Sequence, residues 1–272
     1  LWDLGTGRLF WVDIMKPGFH RLDPADGRVD SWTPPEKFGS WALTGDDAIL
    51  IAGRGGLAVW DPPSGRFERF PPPEADRPMN ILNDGRTDPR GRFVVGSMDK
   101  MLSGPNGRLW QVGPDRSVRL LQDADIWLPN SLCWSPDGRT MYLGDSRTQL
   151  IFAYDYDLDS GDISGRRLFA DTSDVPGEPD GSSVDAEGFL WNARFDGSCL
   201  ARYAPDGRLD RLVPGPVSRP SPGPFGGPAL KTLYGPPAPF RLPAKKLAAE
   251  PMAGGLLAMA SPVAGLPEPR WG

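Results

Sequence analysis

The chain has 272 residues and a formal net charge of −5, with 35 Asp and Glu against 30 Lys and Arg. A surface of that sign repels phosphate backbones, and no basic stripe with interleaved aromatics is present, so no nucleic-acid partner is expected. Glycine (34) and proline (32) are abundant and no apolar run nears the roughly 20 residues that span a bilayer, which predicts many tight turns and no membrane association.

In chain order, six short apolar runs of strand length recur. They are Leu9-Phe10-Trp11-Val12, Leu50-Ile51-Ala52-Gly53, Phe93-Val94-Val95-Gly96, Met141-Tyr142-Leu143-Gly144, Leu190-Trp191-Asn192-Ala193 and Leu233-Tyr234-Gly235. Turn-forming pairs lie between them: Asp26-Gly27, Ser64-Gly65, Arg90-Gly91, Asn106-Gly107, Asp137-Gly138, Ser160-Gly161, Glu187-Gly188 and Asp206-Gly207. The runs begin 41 to 49 residues apart, the length of one propeller blade carrying several short strands. Helical periodicity is missing apart from a short stretch from Lys245 to Glu250. The spacing predicts an all-β, six-bladed β-propeller forming a single domain over residues 1–272. Nine prolines between Pro214 and Pro239 predict a loop-rich or atypical sixth blade, although strand signals continue at Leu230 to Tyr234 and Gly255 to Met259.

Residues at equivalent points of the innermost strands converge on a propeller's axis. Counting back ten or eleven residues from each apolar run reaches Asn83, Asn130 and Asp180, and the same offset reaches Ser40 in the second blade and Gly223 in the sixth. Three oxygen-bearing side chains at one level suit a hard cation such as Ca²⁺, Mg²⁺ or Mn²⁺, with Zn²⁺ less preferred. The competing reading is that these Asx-Gly motifs only make turns; their shared offset in three blades favours a site.

Other chemistries lack their parts. No Gly-x-Ser-x-Gly elbow is present, and His20 is the only histidine, which leaves no multi-histidine metal site and no serine or cysteine partner for catalysis. His20 is expected to be structural. Cys133 and Cys199 lie in strand-like runs and are expected to be buried, reduced thiols, in keeping with a cytoplasmic protein, and no secretory signal is seen.

Several segments in order resemble the SMP-30/gluconolactonase (regucalcin-like) family. They include Leu1-Trp2-Asp3, Asn83-Asp84-Gly85 with Asp88 to Gly91, and Asn130 with Trp134 to Gly138. The series continues through Pro179-Asp180-Gly181 with Asp185 to Gly188, Phe225-Gly226-Gly227 and Ala253 to Leu256. The resemblance spans nearly the whole chain. It implies hydrolysis of a small aldonolactone with one divalent cation, Ca²⁺ first, by a monomer or homodimer. It makes Asn130 and Asp180 metal ligands, with Asp180 also the residue that steers or deprotonates water, and Asn83, with Asp84 beside it, a substrate or water contact. The family's third ligand, a Glu, would stand three residues before Leu1. Departures are Ile81 where the family carries an Arg, Met101 where some members carry a Glu, Pro222-Gly223-Pro224 before Phe225, and Pro236 to Pro239 after Tyr234. Ile81 and Met101 together predict a less polar substrate pocket. The alternatives are a propeller that binds a cation or small molecule without catalysis, and a protein-interaction propeller.

Overall fold

Short strands bury one face only against another sheet, so a chain of four-strand units has to stack sheet on sheet or close into a ring. The computed structural model describes residues 1–221 and 223–272 and has six small antiparallel sheets in a six-bladed β-propeller. Five sheets have four strands and the last has three. Each of the six apolar runs falls in the second strand of a blade: Arg8–Asp13, Ile49–Gly53, Phe93–Asp99, Thr140–Asp145, Leu190–Phe195 and Thr232–Gly235. The first strands stand innermost: Trp2–Asp3, Phe38–Leu43, Asn80–Thr87, Pro129–Trp134, Glu178–Val184 and Phe225–Gly226.

Seven of the eight expected turn glycines adopt φ between +70° and +85°, a region that favours glycine. Gly107 is the exception. It sits where chains crowd, and a Cβ there would come within 2.2 Å of the Ser97 carbonyl oxygen. The sixth blade is irregular as its prolines imply. Its second and third strands, Thr232–Gly235 and Leu257–Ala260, are separated by an insert containing the helix Ala244–Ala249, none of whose residues is buried. Pro222, in the departure before Phe225, lies outside the described residues.

The core is divided among the interfaces between neighbouring blades. Ile49, Ile51 and Trp60 of the second blade pack with Phe10 and Phe19 of the first, and Leu50 and Leu57 pack with Phe93 and Val95 of the third. Further clusters join the third blade to the fourth, the fourth to the fifth and the fifth to the sixth. Each fully buried large side chain contributes about 1.5–3 kcal/mol, so these seams hold the ring together. Between the sixth and first blades Trp2 stacks on Tyr234 with ring centroids 5.7 Å apart.

A second closure was not foreseen from the sequence. Residues 265–272 strap several blades together: Gly265 bridges Asp185 of the fifth blade, Arg270 pairs with Asp3 of the first at 2.8 Å, and the Trp271 N–H donates to Leu43 O of the second. The Trp271 indole is buried between blades two and three and donates to Val112 O at 3.1 Å. His20 lies in the third strand of blade one, stacked on Trp11 and hydrogen-bonded to Ser31. Both cysteines are buried free thiols. Among the described residues no helix is long and apolar enough to cross a membrane.

Candidate functional site

The inner strands of blades three, four and five share a local irregularity. In blade three Leu82 pairs with Ser97 and Gly85 with Val95, so Asn83 and Asp84 together oppose Gly96. In blade five Pro179 pairs with Arg194 and Ser182 with Asn192, so Asp180 and Gly181 together oppose Ala193. In blade four Asn130 pairs with Gly144, and Ser131 and Leu132 form the bulge beyond it. A β-bulge interrupts the ladder and re-aims the side chains it carries. Small residues back all three, and a Cβ on Gly96 would come within 2.4 Å of Pro129. Asn83, Asn130 and Asp180 therefore occupy one level of three successive inner strands. Ser40 does not share it: the first hairpin of blade two pairs Ser40 with Ala52, and the extra residue at its bulge is Gly39, packed under the Asn83 carbonyl.

Hydrogen bonds tie these residues from blade to blade. Asn83 Nδ2 donates to Pro129 O at 2.9 Å, the residue before Asn130. Asn130 Nδ2 donates to Ser146 Oγ at 2.7 Å, and Ser146 Oγ donates to Pro179 O at 2.5 Å, the residue before Asp180. The Leu132 N–H donates to Asp84 Oδ2 at 3.0 Å. Both amide nitrogens are thus occupied, while Asn83 Oδ1 and Asn130 Oδ1 have no hydrogen-bond partner among the described residues.

Two carboxylates meet here. Burial, followed by the charges of Asp84 and Glu178, pushes the Asp180 carboxyl up to about 6 against the opposing Gly181 N–H. Burial likewise raises Asp84, with the Leu132 N–H and Arg86 pulling the other way. Arg86 does not neutralise the pair, because it is engaged by Glu268 of the C-terminal strap, with Nε to Oε2 at 2.9 Å. Arg86 also donates to Ser182 O at 2.5 Å and to Leu132 O and Ser183 Oγ, which ties blade three to blades four and five. The Asp84 charge therefore disfavours ionisation of Asp180, a repulsion that a bound cation would relieve. Among the described residues no group of three or more His, Cys, Asp or Glu side chains is arranged to hold a metal ion by itself. The donors are two carboxylates and two amide oxygens, with neither thiol nor imidazole, a set that fits a hard divalent cation.

Sequence reasoning missed Arg86, Ser131, Ser146, Asn192 and Glu268. Only Arg86 carried a signal, since it lies on the Asn83 strand three residues on. Of the departures, Ile81 is half-buried opposite Met98, and Met101 is 68% exposed on the loop after the second strand of blade three. Two open clefts lie nearby, of about 390 Å³ around Trp127 and Arg166 and about 600 Å³ around Gly177, Glu178 and Phe195. Neither is lined by Asn83, Asn130 or Asp180.

Residues 1–235 match a family model described as the SMP-30/Gluconolactonase/LRE-like region. The chain is 35% identical over 273 residues to an L-arabinolactonase of Azospirillum brasilense, covering 99% of this chain and 90% of that protein. It is 31% identical over 270 residues to a 6-deoxy-6-sulfogluconolactonase of Pseudomonas putida, covering 99% and 92%. Among solved structures, a calcium-binding regucalcin from Agrobacterium tumefaciens superposes with a TM-score of 0.92 at 31% identity, covering all of this chain and 92% of the other.

Proposed function

The chain belongs to the SMP-30/gluconolactonase family, and from that premise we propose that this lactonase hydrolyses a small sugar lactone with the help of one divalent cation, Ca²⁺ first among the candidates. One observation carries the reading: Asn83, Asp84, Asn130 and Asp180 share a single level of three adjacent inner strands, with two amide oxygens free and no ion pair to either carboxylate among the described residues. Asn130 Oδ1 and the Asp180 carboxylate would hold the cation, which when bound supplies Lewis-acid polarisation of a carbonyl and a lowered pKa for a coordinated water.

The chain's own residues do the rest. Asp180 takes a proton from the attacking water as its oxygen adds to the lactone carbonyl. The ring C–O bond then breaks and the leaving oxygen takes that proton, giving the open hydroxy acid. Asn83 orients the water or a ring hydroxyl through its free Oδ1, with Asp84 beside it as a second acceptor. Ile81 and Met101 make the approach to this site less polar than an arginine and a glutamate would, which favours lactones with fewer exposed hydroxyls.

The acidic surface and the buried, unpaired Cys133 and Cys199 support a cytoplasmic enzyme of one domain acting on a small molecule, as monomer or homodimer. The test is turnover of a lactone panel by the parent, Asn130→Ala and Asp180→Ala, with and without Ca²⁺ or Mn²⁺. Both variants are expected to lose metal-dependent turnover. Parental rates in both would end the reading, and tight Ca²⁺ binding by a parent inactive on every lactone would favour a binding protein instead.

A further inference from the structure

A bulge leaves backbone groups without ladder partners, and buried groups of that kind must find others. The Asp180–Gly181 segment is such a place, because strand pairing lapses between Pro179 and Ser182. Two side chains fill the gap. Ser131 Oγ, across the blade interface, donates to Asp180 O. Asn192 Nδ2 lies 3.0 Å from Asp180 O, 3.3 Å from Gly181 O, 3.0 Å from Ser182 Oγ and 3.0 Å from Ser131 Oγ. Ser131 and Asn192 are both 0% exposed.

Ser131 holds this position in an unfavourable conformation. Its φ is +64°, a left-handed geometry that glycine adopts readily and other residues adopt at a cost. Gly144 makes room for the hydroxyl, since a Cβ there would lie 2.8 Å from Ser131 Oγ. A glycine would relieve the strain at residue 131 but would lose the hydroxyl that reaches Asp180 O.

Behind Asn192 stands Arg194, which is 0% exposed and has no carboxylate partner among the described residues. It donates to Asn192 Oδ1 at 3.3 Å and to the carbonyls of Thr172, Val175, Pro176 and Gly177, the segment leading into the Asp180 strand.

We infer that Ser131 and Asn192 are positioning residues: their buried side chains clamp the Asp180–Gly181 peptide across the blade interface and fix the direction of the Asp180 carboxylate. The inference rests on the lactonase reading given above. Groups that orient a ligand or a reacting carboxylate without touching substrate typically matter by about 10- to 100-fold.

The experiment compares Ser131→Gly with the parent and with Asp180→Ala. It measures kcat and KM on L-arabinolactone, Ca²⁺ affinity by calorimetry, and thermal unfolding by circular dichroism. Glycine relieves the left-handed strain, so Tm is expected to stay level or rise. At the same time kcat falls about 10- to 100-fold at nearly constant KM and Ca²⁺ affinity falls about tenfold. A purely structural serine would move Tm alone, so kcat and Ca²⁺ affinity both within about twofold of the parent overturn the inference. If Ser131→Gly does not fold, Ser131→Ala loses the same hydroxyl with the strain kept and is read by the same two criteria. Parental kcat in Asp180→Ala sinks the lactonase reading and this inference with it. Inactive Asp180→Ala beside normal Ser131→Gly sinks the clamp alone.

Discussion

Replacing Asp180 by asparagine keeps the side chain's shape and removes its charge. In the folded chain burial, then Asp84 and Glu178, pushes this carboxyl from 3.8 up to about 6. The folded state therefore holds a proton that the unfolded state releases between about pH 4 and 6, and linkage makes stability fall as pH rises through that window. Below the unfolded value no deficit exists, and above about 6 it is complete and constant. A gap of roughly two pH units corresponds to about 3 kcal/mol, about half of it already developed at pH 5. The Asp180→Asn side chain, which does not titrate, carries no such deficit. In chelator at pH 8, Asp180→Asn is expected to be about 1–3 kcal/mol more stable than the parent, a Tm gain of roughly 3–9 °C for a chain of this size. At pH 4 the two curves should meet. Urea denaturation at pH 4, 6 and 8 with EDTA measures the difference, and millimolar Ca²⁺ at pH 8 should close it by stabilising the parent only. The same variant should lack lactonase activity. A stability difference independent of pH, or none at pH 8, would refute the electrostatic account of the site.

Three further outcomes follow from the frame around the site. Glu268→Gln removes the carboxylate paired with Arg86 and leaves it only its carbonyl and hydroxyl acceptors, which should cost about 3 kcal/mol at pH 7. Burial pushes Glu268 up but the Arg86 charge prevails and holds it below its ordinary 4.5, so the pair's contribution is complete above that value and fades only below it, and the gap between parent and variant in urea titrations should be constant from pH 8 to 6 and narrow progressively below pH 4.5. Gly226→Ala would put a Cβ 2.6 Å from the Trp2 ring and disturb the stack that closes the ring, lowering stability by about 1–3 kcal/mol in thermal unfolding. Burial pushes the Cys133 thiol up to about 12, so native protein at pH 8 should resist iodoacetamide at this position and mass spectrometry should find it alkylated only after unfolding.

The blades were legible because one strand pattern repeats at a nearly constant period, and the level of Asn83, Asn130 and Asp180 was legible because each sits a fixed distance before its blade's apolar run. The distance is eleven rather than ten in blade four for a local reason. Met141 pairs with Trp134, seven residues back, whereas Phe93 pairs with Thr87 and Leu190 with Val184, six back. In blade two the gap widens to eight, Leu50 with Ala42, so an offset of ten falls at Ser40, on the far side of the bulge residue Gly39. The supporting contacts have no such regularity. Ser131 and Asn192 stand 61 residues apart on different blades, and Arg86 and Glu268 are 182 apart. No periodicity or motif links residues so distant, and the strap lies beyond the last strand, where the repeat has ended. Long-range polar pairing is decided by closure of the ring, which a local pattern does not encode.

That difference bears on what the like charges are for. A propeller of this size has many side chains buried as fully as Phe93, Ile49 or Leu109, each contributing about 1.5–3 kcal/mol, so a deficit near 3 kcal/mol at Asp180 equals one or two of them and leaves the fold secure. A bulge that served only to bend the inner strand would be satisfied by glycine, as Gly39 satisfies it in blade two. Blades three and five instead place Asn83, Asp84 and Asp180 at the bend, blade four places Asn130 just before it, and the Asp84 charge disfavours ionisation of Asp180. Arg86, whose charge acts on Asp84, is held by Glu268 and by carbonyls of two neighbouring blades. Negative charge is therefore maintained at the channel's acidic level by the same strap that ties the blades together. Glu268 and the carbonyls hold Arg86 away from a direct ion pair with Asp84, and on the proposed reading that leaves the carboxylates of Asp84 and Asp180 to a cation.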